Sequence, residues 1–427
     1  MNLQPENLLL AIEVENMYSI RDKIRIDFRA ANIKTNQAKM LSDNVFVWNK
    51  QKILKTVGLF GPNAAGKSNI IKAIRFCCQL ILECLSHNEG TTFNFRPFKF
   101  EGYDQKPSRF FINFVCGGIE YEYEYTLTRD EIKSESLYFY PESHRKSLIY
   151  ERTGSSYRYG TKATIVRPKD VEMNTTRKNL FLTRASSMNR DLCKKLFVFF
   201  WTTFLLHLRD PKETFTEEFL QQNKGLILQF LHLCDSDICD IAIRNTFMQN
   251  PFTLTIDDKV VAQEPVSFKQ ILTFHKANPD IAFNFDTEES DGTRQLFMLI
   301  HRLIDVHNNN KALILDEFDK SSHLRMAEFV LNYIHASNSS QLLYSSHNVR
   351  LIDMKHLRKD QIIFVEKDKS GATSIRPLNE FKEFRENMDA VKAYINGYFG
   401  AIPCVETSVD VLKTIIKNQK IYESLAK

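Results

Sequence analysis

Gly61 to Ser68, GPNAAGKS, could hold a phosphate chain. The run fits GxxxxGK[ST] and sits between the apolar stretch Thr56-Val57-Gly58-Leu59-Phe60 and the helix-forming stretch Asn69-Ile70-Ile71-Lys72-Ala73-Ile74. That is the strand, loop and helix context in which the pattern works. Gly61 and Gly66 permit a backbone arch whose N–H groups point inward, with Pro62, Asn63, Ala64 and Ala65 forming its crown and Asn69 following it. Lys67 is expected to reach the β and γ phosphates of a nucleoside triphosphate, and Ser68 to offer its hydroxyl to Mg²⁺. ATP and Mg²⁺ are therefore the expected ligands.

A second set lies far downstream. Lys311-Ala312-Leu313-Ile314-Leu315-Asp316-Glu317 is an apolar strand ending in two acids. Asp316 is placed to hold the Mg²⁺ shell, and Glu317, just past the strand end, to polarise an attacking water. Gln341 to Ser346 is another strand, and His347 at its end reads either as a γ-phosphate contact or as a structural histidine. Ser290 and Gly292 stand where a helix begins, with apolar positions Leu296, Leu299, Ile300, Leu303 and Ile304 at helical spacing. A hydroxyl and free N–H groups there suit an anion, or simply cap the helix.

The elements that must position these residues are spread over 427 residues, long enough for two or three lobes. Residues 8–28 read as a hairpin with its turn at Arg21-Asp22, and 30–52 as a polar loop. FNFRPFKF (93–100) and RFFINFV (109–115) read as strands. IEYEYEYTL alternates so that Tyr121, Tyr123 and Tyr125 share one face and Glu120, Glu122 and Glu124 the other, a half-buried strand rather than a base-stacking platform. Short strands follow at 137–140 and 148–159. Residues 189–209 and 215–234 have helical periodicity, and 245–280 is polar with weak strands near 252–256. Arg177, Lys178, Arg184, Arg190, Lys194 and Lys195 form a basic run that reads as a solvated face, with nucleic acid as the sharper alternative.

Composition narrows the class. The net charge is +5, too slight to argue for a polyanionic partner. The eight cysteines fall in no CxxC pair, the pattern of buried thiols in a reducing compartment. The N-terminal MNLQPENLLL lacks the basic region of a signal peptide, and no run approaches the roughly 18 apolar residues of a membrane span. A cytoplasmic protein with no membrane partner is expected.

The order GPNAAGKS, ESDGT, ALILDEFDKSSHL, LLYSSH resembles the ATP-binding-cassette ATPases of the SMC, RecF and OLD type, where it supplies Walker A, signature, Walker B, D-loop and H-loop. LRKDQIIFVEK (357–367) and YINGYFGAIP (394–403) resemble one soluble branch of that class, the AAA15 or abortive-infection type. The resemblance covers 8–127 and 283–403. It implies an α/β fold, a P-loop ABC-type ATPase sheet with an inserted mainly helical lobe and an antiparallel β subdomain. It also implies domains at 1–127 (first ATPase half), 128–282 (recognition or regulatory lobe), 283–377 (second ATPase half) and 378–427 (helical tail).

It further implies an ATP-dependent homodimer in which Ser290 and Gly292 of one chain close over the nucleotide held by Lys67 of the other. Its setting would be anti-phage defence, with a co-encoded effector such as a nuclease as partner. The alternative is a RecF-like DNA clamp. Two departures stand out: the signature reads SDG, bringing Asp291 near phosphate, and His323 replaces the D-loop aspartate of cassette transporters. For the Q-loop glutamine, Gln79 and Gln105 are the candidates by position.

Overall fold

The computed structural model describes residues 5–141, 145–161, 167–205, 216–248, 254–256, 259–261, 266–309, 311–319, 324–338, 340–385, 388–400, 408–409 and 411–417. Two sheets form the framework. One runs in the order 204–205, 312–315, 341–346, 56–60, 362–367, 373–377, parallel except for its last strand. The other is a seven-stranded antiparallel meander in which Leu8–Glu15 joins Ile24–Asp27 on one side and Ser108–Cys116 on the other. This meander continues through Ile119–Leu127, Ile132–Tyr140, Ser147–Thr153 and Ser156–Tyr159, so it passes without a break across residue 127.

The central strands of this sheet, Thr56–Phe60, Ala312–Leu315 and Gln341–Ser346, are buried at every position because both faces are covered. The sheet's two-residue period divides its side chains: Val57, Leu59, Ile314, Leu343, Ile363 and Val365 face one core. Phe60, Leu313, Leu315, Leu342, Tyr344, Ile362 and Phe364 face another. Helix Lys67–Glu83 lies in the first core, burying Ile70, Ile71, Ala73, Ile74, Cys77, Cys78, Leu80 and Ile81 between the two sheets. Each aliphatic side chain buried there contributes about 1.5–3 kcal/mol. The tyrosine face of Ile119–Leu127 packs on the same core, with Tyr125 donating to the Cys77 carbonyl at 2.9 Å. Its glutamates are paired outside, Glu120 with Arg29 at 2.8 Å and Glu124 with Arg109 at 2.6 Å. The second core holds helix Leu324–Ala336 and the turn of helix Ala390–Ile395, whose Tyr394 stacks on Phe364 together with Phe399. Ala401 to Pro403 of the tail run lie outside the described residues.

A third core unites helix Glu217–Leu233, the sheet of Ile238–Met248, Val266–His275 and Asn278–Asn284, and helix Asp291–Asn309. The last helix serves two cores, with Phe297, Ile300 and Ile304 in the third and Leu303 and Val306 in the second.

Three sequence expectations need correction. Residues 30–52 are not a plain loop: Asn36–Met40 is a helix, and Val45–Trp48 pairs with Gln51–Leu54 through Asn49 and Lys50, both at positive φ. Residues 93–100 form no strand; Phe93, Phe95 and Phe98 are buried as anchors of an irregular segment in which Pro97 has no N–H to give. The polar stretch from 245 contains the long strand Val266–His275, paired on both sides.

Candidate functional site

Loop 61–66 lies at the end of the strand Thr56–Phe60, and both of its glycines are needed. A Cβ at Gly61 would stand 2.3 Å from the Val365 carbonyl oxygen, and one at Gly66 2.0 Å from Thr373 Oγ1. Gly66 also has φ +112°, which side chains other than hydrogen rarely adopt. Asn63 and Ala64 are exposed at the crown, whereas Ala65 and Gly66 are buried.

The arch is buttressed by residues distant in sequence. Asn69 donates to Ser19 Oγ at 2.7 Å, the Ser19 and Thr373 hydroxyls are 2.7 Å apart, and Thr373 donates to the Ala65 carbonyl at 2.9 Å. Hydrogen bonds in such a chain polarise one another. Ser19 comes from the first hairpin and Thr373 from the edge strand Thr373–Pro377, and no motif marks either.

Lys67 turns back into the loop, donating to Gly61 O at 2.7 Å and Pro62 O at 3.0 Å. Burial lowers its ammonium pKa to about 8, against the opposing pull of Glu317, Asp316 and Asp319. Ser68 donates to Asp316 Oδ1 at 3.1 Å, so the hydroxyl and the carboxylate expected at one cation are adjacent.

The strand Gln341–Ser346 lies between Thr56–Phe60 and Ala312–Leu315, and its end organises the acids. Ser345 donates to Asp316 Oδ1 at 2.6 Å and accepts from the Glu317 N–H at 2.8 Å. Glu317 has φ +47°, costly for a residue with a side chain. Ser346 donates to Asp319 at 2.8 Å. His347 stands between the two halves, Nδ1 3.4 Å from Lys67 Nζ and Nε2 3.5 Å from a Glu317 carboxylate oxygen.

Ser290 and Gly292 are not brought to this cluster. Ser290 accepts from the Thr293 N–H at 3.1 Å and caps its own helix, at an exposed position. Among the described residues neither contacts the loop. Asp291 turns outward, paired with Arg294. Gln105 is exposed and bonds to its neighbour Asp104, and Gln79 lies near the far end of helix Lys67–Glu83. His323 lies outside the described residues. The basic run at 177–195 is partly spent internally: Arg177 pairs with Glu89 at 3.1 Å, Arg190 pairs with Asp170, and Lys178 is buried.

Among the described residues no group of three or more His, Cys, Asp and Glu is arranged to hold a metal. A hydroxyl beside a carboxylate nevertheless suits Mg²⁺, which takes one or two protein oxygens and completes its shell with water and substrate phosphate. Ser68 and Asp316 would hold it, and it would supply charge neutralisation at the phosphates.

A strand, phosphate-binding loop and helix beside an acidic strand end, with one strand intervening, define a P-loop nucleotide-binding ATPase of the ABC type. Residues 57–353 match the family described as "AAA domain, putative AbiEii toxin, Type IV TA system", and the chain belongs to that family. No curated protein matches the chain. Among solved structures it is similar to an SMC head bound to the C-winged helix domain of ScpA (13% identity, 90% of this chain and 100% of that one, TM-score 0.40). It is also similar to the SMC head domain from Thermotoga maritima (14%, 86% and 98%, 0.37). A third similar structure is the recombination mediator protein RecF with ATPrS (14%, 88% and 100%, 0.37). Among the described residues no helix is long and apolar enough to cross a membrane.

Proposed function

We propose that the protein is a Mg²⁺-dependent ATPase that works as a homodimeric switch, each nucleotide held by Lys67 of one copy and closed over by Ser290 and Gly292 of the other. The observation that carries this reading is the division of the site. Lys67, Ser68, Asp316, Glu317 and His347 converge within one chain, whereas Ser290 and Gly292 sit exposed at a helix start away from them. An exposed helix N-terminus offers N–H groups and a positive dipole end to a phosphate supplied by another copy.

In this reading Glu317 takes a proton from the attacking water, the water oxygen bonds to the γ-phosphorus and the bond to the ADP oxygen breaks, leaving ADP and phosphate. Lys67 and His347 stabilise charge on the transferred group. The division at 1–127, 128–282, 283–377 and 378–427 follows the same logic, with 128–282 as the recognition lobe. The meander crossing residue 127 and the helix shared between two cores support a mechanical link from that lobe to the site. The family's description, which names a putative AbiEii toxin of a type IV TA system, supports a role in abortive infection; in this reading the protein works in the cytoplasm and controls a separate, co-encoded effector such as a nuclease.

The test is Glu317→Gln. It is expected to bind ATP, to sediment as a dimer only with ATP and Mg²⁺, and to hydrolyse at least about a hundredfold more slowly. Undiminished turnover would remove Glu317 as the base. ATPase stimulation and retention on plain duplex DNA rising together would favour a RecF-like clamp instead.

A further inference from the structure

Glu289, the residue before Ser290, is buried although it is a carboxylate. Its Oε1 accepts from the Thr273 hydroxyl and faces His275 Nε2 at 3.0 Å. Thr273 and His275 are two residues apart on the strand Val266–His275, and both side chains reach the same oxygen of Glu289. The other imidazole nitrogen, Nδ1, is 3.0 Å from Asp237, which lies between helix Glu217–Leu233 and strand Ile238–Met248. Only the imidazolium has an N–H for each carboxylate. Burial pushes the His275 pKa down, but Asp237 and Glu289 outweigh it and hold it above its ordinary value, with the Phe283 ring edge-on beside them. The backbone continues the grip, since Arg294 Nη1 donates at 2.8 Å to the carbonyls of both Asp286 and Glu289.

The contacts run from solvent to the signature. Asp237 has a side chain 69% exposed, His275 18% and Glu289 5%, so the row starts at the surface of the third core and ends against the backbone of Ser290. The three-stranded sheet also reaches that segment where strand Asn278–Asn284 ends: the Phe285 N–H bonds to Ile271 O at 3.0 Å, and the Asn284 N–H to the Glu288 carboxylate.

We propose that Thr273 and His275 are positioning residues that set Ser290 through Glu289, and that Asp237-His275-Glu289 is the contact by which the 217–284 region controls closure of the nucleotide site. This rests on the composite-site reading above. Movement of helix Glu217–Leu233 against its sheet draws Asp237 from His275, releases Glu289 and tilts the start of helix Asp291–Asn309. Lys67 and Ser68 are not part of this row, so nucleotide binding by one protomer is independent of it.

The experiment uses the full chain with His275→Ala, Thr273→Val, Thr273→Ser and Ser290→Ala. It measures binding of a fluorescent ATP analogue at low protein concentration and the ATPase rate as protein concentration rises. His275→Ala and Thr273→Val are expected to bind nucleotide within about twofold of wild type and to lose at least roughly tenfold of the rate, as for loss of a hydrogen bond to a buried charge. Thr273→Ser, which keeps the hydroxyl, should restore it. Wild-type rates in both His275→Ala and Thr273→Val, with Ser290→Ala inactive, overturn this inference alone. Wild-type rates in Ser290→Ala as well overturn the composite site and this inference with it. Should His275→Ala not fold, the Thr273 pair decides: equal rates in the valine and serine variants overturn the proposal.

Discussion

Ser345 donates its hydroxyl to Asp316 at 2.6 Å while accepting the N–H of Glu317 at 2.8 Å. One buried hydroxyl thus aligns both acids of the strand end and holds Glu317 in its positive-φ backbone. Ser345→Ala should leave ATP affinity within about threefold and lower kcat by about tenfold to a hundredfold, the cost of one hydrogen bond to a charged group. Steady-state kinetics separating kcat from KM checks this, and Ser345→Thr should recover part of the loss.

Lys67 makes ATP binding depend on pH. In the free protein burial brings its ammonium down to about 8, and a bound polyphosphate favours the cation and raises that value. Affinity should be full below about pH 8 and fall as the pH rises through it, by up to about tenfold per unit, with a proton taken up on binding. Calorimetry between pH 7 and 9.5 in buffers of different ionisation enthalpy measures that uptake directly.

Gly66→Ala meets Thr373 Oγ1 at 2.0 Å and keeps an unfavourable φ of +112°. Strain of about 1–3 kcal/mol is expected, together with loss of the hydroxyl chain to Ser19. A lower Tm and at least about tenfold weaker ATP binding should appear together in thermal melts and nucleotide titrations. Thr373→Ala alone should weaken binding less, because it removes the buttress without moving the arch.

Arg358 is buried and paired with Asp360 at 2.7 Å, with further bonds to the carbonyls of Ala38 and Ala31. Arg358→Ala leaves Asp360 buried without its partner and should cost about 3–5 kcal/mol. Denaturant unfolding should show this loss, and the double variant with Asp360→Ala should be less than additive.

Some of this was legible in the residues themselves. The loop, its flanking strand and helix, the acidic strand end and the alternating tyrosine strand are specified by neighbours a few positions apart, where backbone periodicity and glycine geometry act. The Val45–Leu54 hairpin carried a readable signal, an asparagine in a two-residue turn between VFVW and QKIL, that its polar surroundings obscured. Phe93 and Phe95 alternate like a strand, but Arg96-Pro97 breaks the phase before Phe98, which is pinned through its N–H to Asn16 Oδ1 at 3.1 Å.

What tertiary structure alone decided is which distant groups meet. Parallel strand order inserts Gln341–Ser346 between the phosphate-loop strand and the acidic strand, and this carries Ser345 and His347 into the site. Ser19 and Thr373 meet Gly66 because two sheets close on one loop, and His275 meets Glu289 because a strand returns beside the helix start. Local spacing determined that GPNAAGKS would be a phosphate loop. The hydrogen bonds at Thr373 that hold it span 354 and 308 positions, those at Ser345 that set its acids span 29 and 28, and only chain topology could choose them.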